Sequence, residues 1–242
     1  MDWRDTGILL TMRRHGESAA IIEVFSEQHG RHAGVVQGGA SRRYAPILQP
    51  GAQLALAWRA RLEDHIGTFS VEPITSRAAG LMEDAGRLAA FGSISALLTQ
   101  VMPEREPHPQ LYSLTINLVD ALAGGQPWVA DYIGWEVLLL RDLGYGLDLN
   151  QCAVSGSHED LTYVSPKSGR AVARGAAGQW VDQLLPLPKV LRGGAAEGLD
   201  DVLNALKTTG YFLEHRLFPS LGKDKLPEAR GRLLASLRRH FQ

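Results

Sequence analysis

The stretch Gln53-Leu54-Ala55-Leu56-Ala57-Trp58 decides the fold class, because large apolar side chains recur at every second residue with small or polar ones between them. That alternation sends one set of side chains to a core and the other set to the opposite face of a strand. Working outward, comparable short runs rich in strand-forming residues are expected near Gly7–Arg13, Ala19–Phe25, Ala33–Gln37 and Gly67–Pro73, with the quoted stretch continuing to Ala60. Turn chemistry separates them: HGES at 15–18, SEQHGR at 26–31, PILQPG at 46–51 and LEDHIG at 62–67. The first 75 residues therefore read as an all-β unit of five strands.

Strands this short leave unpaired edges unless the sheet closes. A barrel of five strands in about 70–80 residues, as in the oligonucleotide-binding fold, removes the edges and buries one side of every strand. The most telling local feature lies within this unit, at residues 30–43, GRHAGVVQGGASRR. Val35 and Val36 favour an extended backbone, and Gly38-Gly39 can adopt positive φ and swing Arg42-Arg43 outward. Cation pairs at the ends of a strand suit phosphate contact, although an isolated arginine pair is ordinarily just a solvated surface. Tyr44, beside the pair, suits either base stacking or a place in the core.

After Pro73 the periodicity becomes helical, which places a domain boundary near Ser76, with residues 1–76 as the β domain and 77–242 as a helical domain. A first helix is expected to begin around Arg77 and to stop before Pro103, with an apolar stripe at Leu81, Leu88, Phe91, Leu97, Leu98 and Val101. A second spans Pro109 to Ala123 and stops at Gly124-Gly125, and a third runs from Trp128 to Leu143 with the apolar run Val137–Leu140 at the centre of the bundle. Residues 148–176 are turn-rich and form a compact insert, after which amphipathic segments return at Leu199–Leu217 and Leu226–Phe241.

Net charge is −1 over 242 residues, but it is segregated: residues 81–160 carry −8, residues 163–193 carry +4 and residues 205–242 carry +5. Small basic faces are thus compatible with a near-neutral chain. No window approaches the roughly 18 apolar residues of a spanning helix, and the start MDWRDTGILL lacks the basic region and long apolar run of a secretory signal. A single cysteine, Cys152, excludes an intrachain disulfide and fits a reducing compartment, so a cytoplasmic protein with no membrane association is expected.

Catalytic motifs fail for specific reasons. His158-Glu159-Asp160-Leu161-Thr162 has no second histidine one helical turn on, Gly16-Glu17-Ser18-Ala19-Ala20 lacks the closing glycine of a nucleophile elbow, and Gly222-Lys223 has Leu217 where a phosphate loop needs its leading glycine. The insert begins like a zinc knuckle, but Ser155 stands where a second cysteine is needed, so no metal is expected. Cys152 reads as a buried structural residue, with no neighbouring cations to lower its pKa. No enzyme activity and no cofactor are expected.

The whole chain resembles the RecO family of bacterial recombination mediators. The carrying residues are Trp3 with Gly7–Leu10, His15–Ser18, His29–Arg31, Gly38–Arg43, Leu48–Gly51, Leu143–Leu149 with Cys152, Tyr163–Val172 and Pro227–Leu234. The resemblance implies an α+β protein: an N-terminal oligonucleotide-binding (OB-type) β-barrel, then an α-helical bundle with a small zinc-ribbon-like insert that here lacks the zinc ligands. It implies binding of single- and double-stranded DNA, annealing of complementary strands without ATP, and loading of RecA together with RecR where single-stranded-DNA-binding protein coats the strand. It also implies a cytoplasmic protein that joins the nucleoid during repair.

On this basis Arg13, Arg14, Arg31, Arg42 and Arg43 are the expected DNA-binding residues of the barrel, with Lys167 and Arg170 adding a second contact from the insert. An alternative makes the helical domain an adaptor that docks the acidic tail of single-stranded-DNA-binding protein, with Trp128, Trp135 and Arg141 as the candidate cleft, although Trp135 and Leu139 at four-residue spacing more often mean core. A monomer is expected.

Overall fold

The computed structural model describes residues 1–62 and 64–240, with no side chain described for His240. Backbone contacts divide the chain into two compact units, Met1–Gln126 and Pro127–Gln242.

The first unit opens with β1 (Asp2–His15), β2 (Ala19–Ser26), β3 (Gly30–Val36), β4 (Gln53–Arg59) and β5 (Thr68–Thr75). Hydrogen bonding runs in the order β1-β2-β3-β5-β4 and the sheet closes on itself, since β1 pairs with β2 at one edge and with β4 at the other. Every pairing is antiparallel except β3 with β5, which meet in parallel at Val35 and Thr68. Following the register from Arg13 through Ile21, Val35, Thr68 and Arg59 returns to β1 at Asp2 rather than at Arg13. That stagger is the steep strand tilt a small closed sheet requires.

The alternation read from the sequence is the burial pattern. Leu54, Leu56 and Trp58 join Leu9, Ala20, Ile22, Val24, Val36 and Phe69 in the core inside the sheet. β1 departs from it, because Ile8, Leu9 and Leu10 are all buried. A register shift between Leu9 and Thr11 interrupts the pleat there, and the Ser95 hydroxyl donates to the Leu10 carbonyl at 2.9 Å, so a helix covers the outer face.

That helix is one of three in the unit: α1 (Ala78–Met82), α2 (Ala85–Val101) and α3 (Pro109–Ala123). The single helix expected over 77–102 is two, because the Asp84 carboxylate accepts the Arg87 N–H at 2.8 Å and caps a fresh start. The buried Arg77 side chain ties these elements to the sheet, donating to Asp120, to the Gly51 carbonyl and to Gln53.

The second unit holds α4 (Val129–Asp142), a small sheet of β6 (Leu161–Val164), β7 (Ala171–Ala173) and β8 (Leu185–Pro186), then α5 (Leu199–Phe212), a π-helical turn (Leu213–Leu217), α6 (Phe218–Ser220) and α7 (Glu228–His240). The sheet order is β7-β6-β8, so its third strand lies beyond the expected end of the insert at 176. In α4, Trp135, Leu139 and Leu140 are buried while Val137 and Leu138 are only partly so; the apolar run lies on one side of the bundle rather than being enclosed all round. The expected end of the last segment at Phe241 falls outside the described residues.

Candidate nucleic-acid interface

Arg13 and Arg14 lie at the far end of β1, exposed, paired across the sheet with Ile21 and Ala20. Ile21 and Ala20 pair in turn with Val35 and Val36, the last residues of β3. The chain leaves β3 there and runs straight into Gly38-Gly39 and the exposed Arg42-Arg43. The Ala40 N–H donates to the Ser18 carbonyl at 2.9 Å, which fastens this loop to the β1–β2 turn. Two arginine doublets separated by almost thirty residues in sequence therefore share one end of the closed sheet.

The two glycines serve this geometry differently. Gly38 has φ of +70°, as expected for a hinge, whereas Gly39 has ordinary φ but sits where a Cβ would come within 2.8 Å of the Ala20 Cβ and 2.9 Å of the Val36 carbonyl oxygen. The loop can lie flat on the sheet end only with glycine there. Tyr44 is half-buried and packs against the core inside the sheet, with the Arg43 guanidinium 5.9 Å from its ring centroid. The tyrosine is thereby a support beneath Arg43.

Arg31 occupies a different setting from the other four. Its Nε donates to the Met102 carbonyl at 2.9 Å, one Nη pairs with Glu23, and the other lies 3.5 Å from Glu104. Its charge is taken up within the unit and it clamps β3 to the segment after α2. The structure does not bring Arg31, expected as a phosphate contact, together with the exposed doublets: two carboxylates stand beside it and its side chain is 16% exposed.

In the second unit, Lys167 is exposed at the turn between β6 and β7. Arg170 is half-buried with its Nε 3.2 Å from the Asp148 carboxylate, so it braces the hairpin as well as adding charge. Sequence reading missed Arg216, whose Nη2 donates to the carbonyls of Pro166 and Lys167 at 3.0 and 3.1 Å and stands beneath the turn beside Lys167. It also missed Arg59 and Arg61 at the end of β4, both exposed. Arg59 was legible as a cation closing a strand, but its place on the same register row as Arg13 depends on the parallel β3–β5 pairing.

The candidate peptide-docking residues do not gather. Trp135 is completely buried, its ring 5.9 Å from that of the equally buried Tyr132, and belongs to the core of the second unit. Trp128 is half-buried at the start of α4, edge-on to Tyr132, and the Arg141 side chain is 60% exposed beside Asp142. A cleft containing Trp135 is excluded by its burial; four-residue spacing along an apolar helix face means core here.

Cys152 is buried, as expected, but its thiol is not ordinary. Burial alone pushes it up, yet N–H groups of Ala173 and Ser155, at 3.3 and 3.4 Å from Sγ, outweigh that effect and hold the thiol down at about 6. The expectation of an unperturbed thiol rested on the absence of nearby cations, and backbone amides do the same work. Among the described residues no group of three or more His, Cys, Asp or Glu side chains is placed to hold a metal ion.

Two family models cover the chain: the N-terminal region of recombination protein O matches residues 1–77, and its C-terminal region matches residues 82–225. The chain is also 58% identical over 240 residues to the DNA repair protein RecO of Ruegeria sp. (strain TM1040), covering 99% of each chain. It is 57% identical to that of Roseobacter denitrificans over the whole of both chains, and 54% identical to that of Dinoroseobacter shibae over 99% of each. Both regions of one bacterial recombination protein are thus present in sequence order. The chain belongs to the RecO family.

Proposed function

We propose that this chain is a DNA repair protein that grips the phosphates of single- and double-stranded DNA at the end of its closed sheet and anneals complementary strands without ATP. The observation that carries this reading is the convergence of Arg13-Arg14 and Arg42-Arg43, fastened by the Ala40-to-Ser18 hydrogen bond. In this reading the sheet is an OB-type barrel and residues 1–76 form the DNA-binding domain. The 148–176 insert is a zinc-ribbon-like hairpin that has lost its ligands and presents Lys167, Arg170 and Arg216 as a second contact. Annealing then needs no catalytic residue, since cations lower the repulsion between two strands while base pairing drives the product. RecR, RecA loading and the tail of single-stranded-DNA-binding protein enter as proposed partners through family membership, in the cytoplasm and at the nucleoid. No helix among the described residues is long and apolar enough to cross a membrane.

The test is annealing of complementary oligonucleotides by purified protein free of nucleotide and metal, together with the salt dependence of single-strand binding. Each neutralised phosphate contributes about 0.7 to the slope of log K against log salt, so Arg42→Ala/Arg43→Ala flattens it by about 1.4. An unchanged slope removes this loop from the interface.

A further inference from the structure

The small sheet of the second unit is spanned by a crossover that buries almost nothing of itself. β7 and β8 flank β6 and both run antiparallel to it, so the chain that leaves β7 opposite Leu161 has to travel back along the sheet to enter β8 opposite Val164. It does so in two 3₁₀ turns, Arg174–Ala176 and Gly178–Gln183, neither of which has a buried residue. Ala177 between them is 1% exposed and anchors both: its N–H donates to the Arg174 carbonyl at 3.3 Å, and its carbonyl accepts the Trp180 N–H at 3.0 Å.

Trp180 is 56% exposed on this crossover, with Val181 beside it 40% exposed. The indole adds nothing to the core, since the anchor is Ala177. All residues from Gly178 to Gln183 are exposed, so the ring stands on a convex ridge and not in a cleft. A peptide anchor is recognised by a pocket that it fills. A convex aromatic ring offers a flat face to another flat face instead. The surrounding charge decides what carries that second face. Residues 163–193 have a net charge of +4, with Asp182 as their one acidic residue. Arg174, where the crossover begins, has a side chain 66% exposed, and its contact with Asp160 at 3.5 Å is a solvated surface pair that yields readily to a polyanion. The crossover ends with the Leu184 N–H donating to the Val181 carbonyl at 3.2 Å and Leu185 paired with Val164, and the turn carrying the exposed Lys167 follows Val164 directly. β6 has four residues and spans about 10 Å, so cations mark both ends of a path of that length with Trp180 between them.

We propose that Trp180 is a stacking platform for an unpaired base of a single DNA strand, with Arg174 and Lys167 on the phosphates to either side. The proposal rests on the DNA-binding reading above and adds a base contact in the second unit, where that reading has charge alone. Bases in a duplex are already stacked on one another, so the indole face selects for a single strand. Stacking is also tolerant of sequence, because every base has a π-face. A strand held this way is gripped at its backbone and one base while its neighbouring bases stay open to pairing.

The experiment measures binding of the full chain to fluorescein-labelled oligo-dT and to a labelled hairpin duplex over a range of salt, and the quenching of tryptophan emission by unlabelled oligo-dT. Trp180→Ala, Trp180→Phe, Arg174→Ala and Arg42→Ala/Arg43→Ala are compared with the parent, each checked for unchanged thermal melting. Trp180→Ala weakens oligo-dT binding about tenfold with no change in salt slope and leaves the duplex within about twofold, as expected for loss of a stacked base. Trp180→Phe keeps a ring, so it binds oligo-dT within about threefold of the parent yet loses most of the quench. Arg174→Ala flattens the oligo-dT slope by about 0.7.

If Trp180→Ala binds oligo-dT like the parent while Arg42→Ala/Arg43→Ala loses it, the platform is not a site and the doublet interface stands. If every variant behaves like the parent, the DNA-binding reading itself is lost. Equal losses on oligo-dT and duplex, or a quench that survives Trp180→Phe, overturn stacking on this ring. Binding of an acidic peptide that depends on Trp180, with oligo-dT unaffected by its loss, overturns the proposal in favour of a protein partner.

Discussion

Arginine is used in two opposite ways, seen most plainly at one end of the closed sheet and in the core of the second unit. At the end of the closed sheet Arg13, Arg14, Arg42 and Arg43 are exposed to solvent. In the second unit Arg230 of α7 is buried and donates from Nε and Nη2 to the two oxygens of Glu136 at 2.7 and 2.9 Å, and from Nη2 to the Leu206 carbonyl at 2.7 Å. Glu136 has no exposed surface and also accepts from the hydroxyls of Tyr132 and Thr209. Burial pulls the Arg230 guanidinium down, but Glu136 outweighs it and the net shift is upward. The pair joins α4, α5 and α7, and its energy lies in geometry fixed by bidentate hydrogen bonding. In the proposed reading, the exposed doublets keep water until a polyanion displaces it. One class of arginine holds the molecule together, the other is held ready by it.

The contrast breaks most visibly if the buried pair is cut. Glu136→Gln leaves an uncompensated guanidinium in the core and costs about 3–5 kcal/mol of stability, measured by urea unfolding followed through tryptophan fluorescence. Replacing both partners together, Glu136→Leu with Arg230→Met, recovers most of the loss; equal loss in the single and double variants shows that packing rather than charge is at stake.

A second effect comes from a polar group with no partner at all. His32 is buried inside the closed sheet among Trp3, Trp58 and Phe69, and neither ring nitrogen has a hydrogen-bond partner. Burial first, then the charge of Arg105 and of His29, lowers its pKa from 6.5 to about 4. His29 is itself stacked on Trp3 and paired with Asp5. Between about pH 6.5 and 4 the unfolded chain binds a proton at His32 that the folded chain refuses, so stability falls as pH is lowered through this window and is flat above it. The expected loss near pH 4 is on the order of 2 kcal/mol once screening by nearby solvent is allowed for. His32→Leu removes this component from the pH dependence of the urea midpoint; an unchanged dependence assigns it to carboxylates instead.

Arg31 sharpens the comparison because it sits in the β unit yet is used like Arg230. Arg31→Ala strands Glu23 and frees the Met102 carbonyl, so it lowers stability by about 1–2 kcal/mol while leaving the salt slope of DNA binding unchanged. Arg13→Ala does the reverse: its effect on stability stays within about 0.5 kcal/mol, whereas the slope flattens by about 0.7. If the two variants exchange these signatures, the division between holding and binding arginines is wrong.

Much of the fold was legible because its signals are local. The period-two pattern of 53–58, the turn residues between strands, the start at Pro109 with its stop at Gly124, and the amphipathic segment from Leu199 all reappear as elements with close to the expected ends. What could not be read depends on pairing. β8 is two residues long and exists only because Leu185 and Pro186 lie against β6. The break between α1 and α2 depends on Asp84 turning its carboxylate onto the Arg87 N–H rather than into solvent. Of the candidate site, the two doublets were visible as runs of charge, whereas Trp135 read as core or as part of a cleft, because the spacing of a helix face is the same whether it meets a core or a partner; the structure makes it core.

By itself, then, the sequence determined where the five N-terminal strands and the long helices lie and where positive charge is dense, since both follow from neighbours along the chain. Tertiary structure decided which arginines are available. Arg31 meets Met102 across 71 residues and Arg230 meets Glu136 across 94, and no local pattern tells a cation with such a partner from one without. A charge is neutralised by whatever carboxylate the fold delivers within a few ångströms, and proximity of that kind is a property of the folded chain alone.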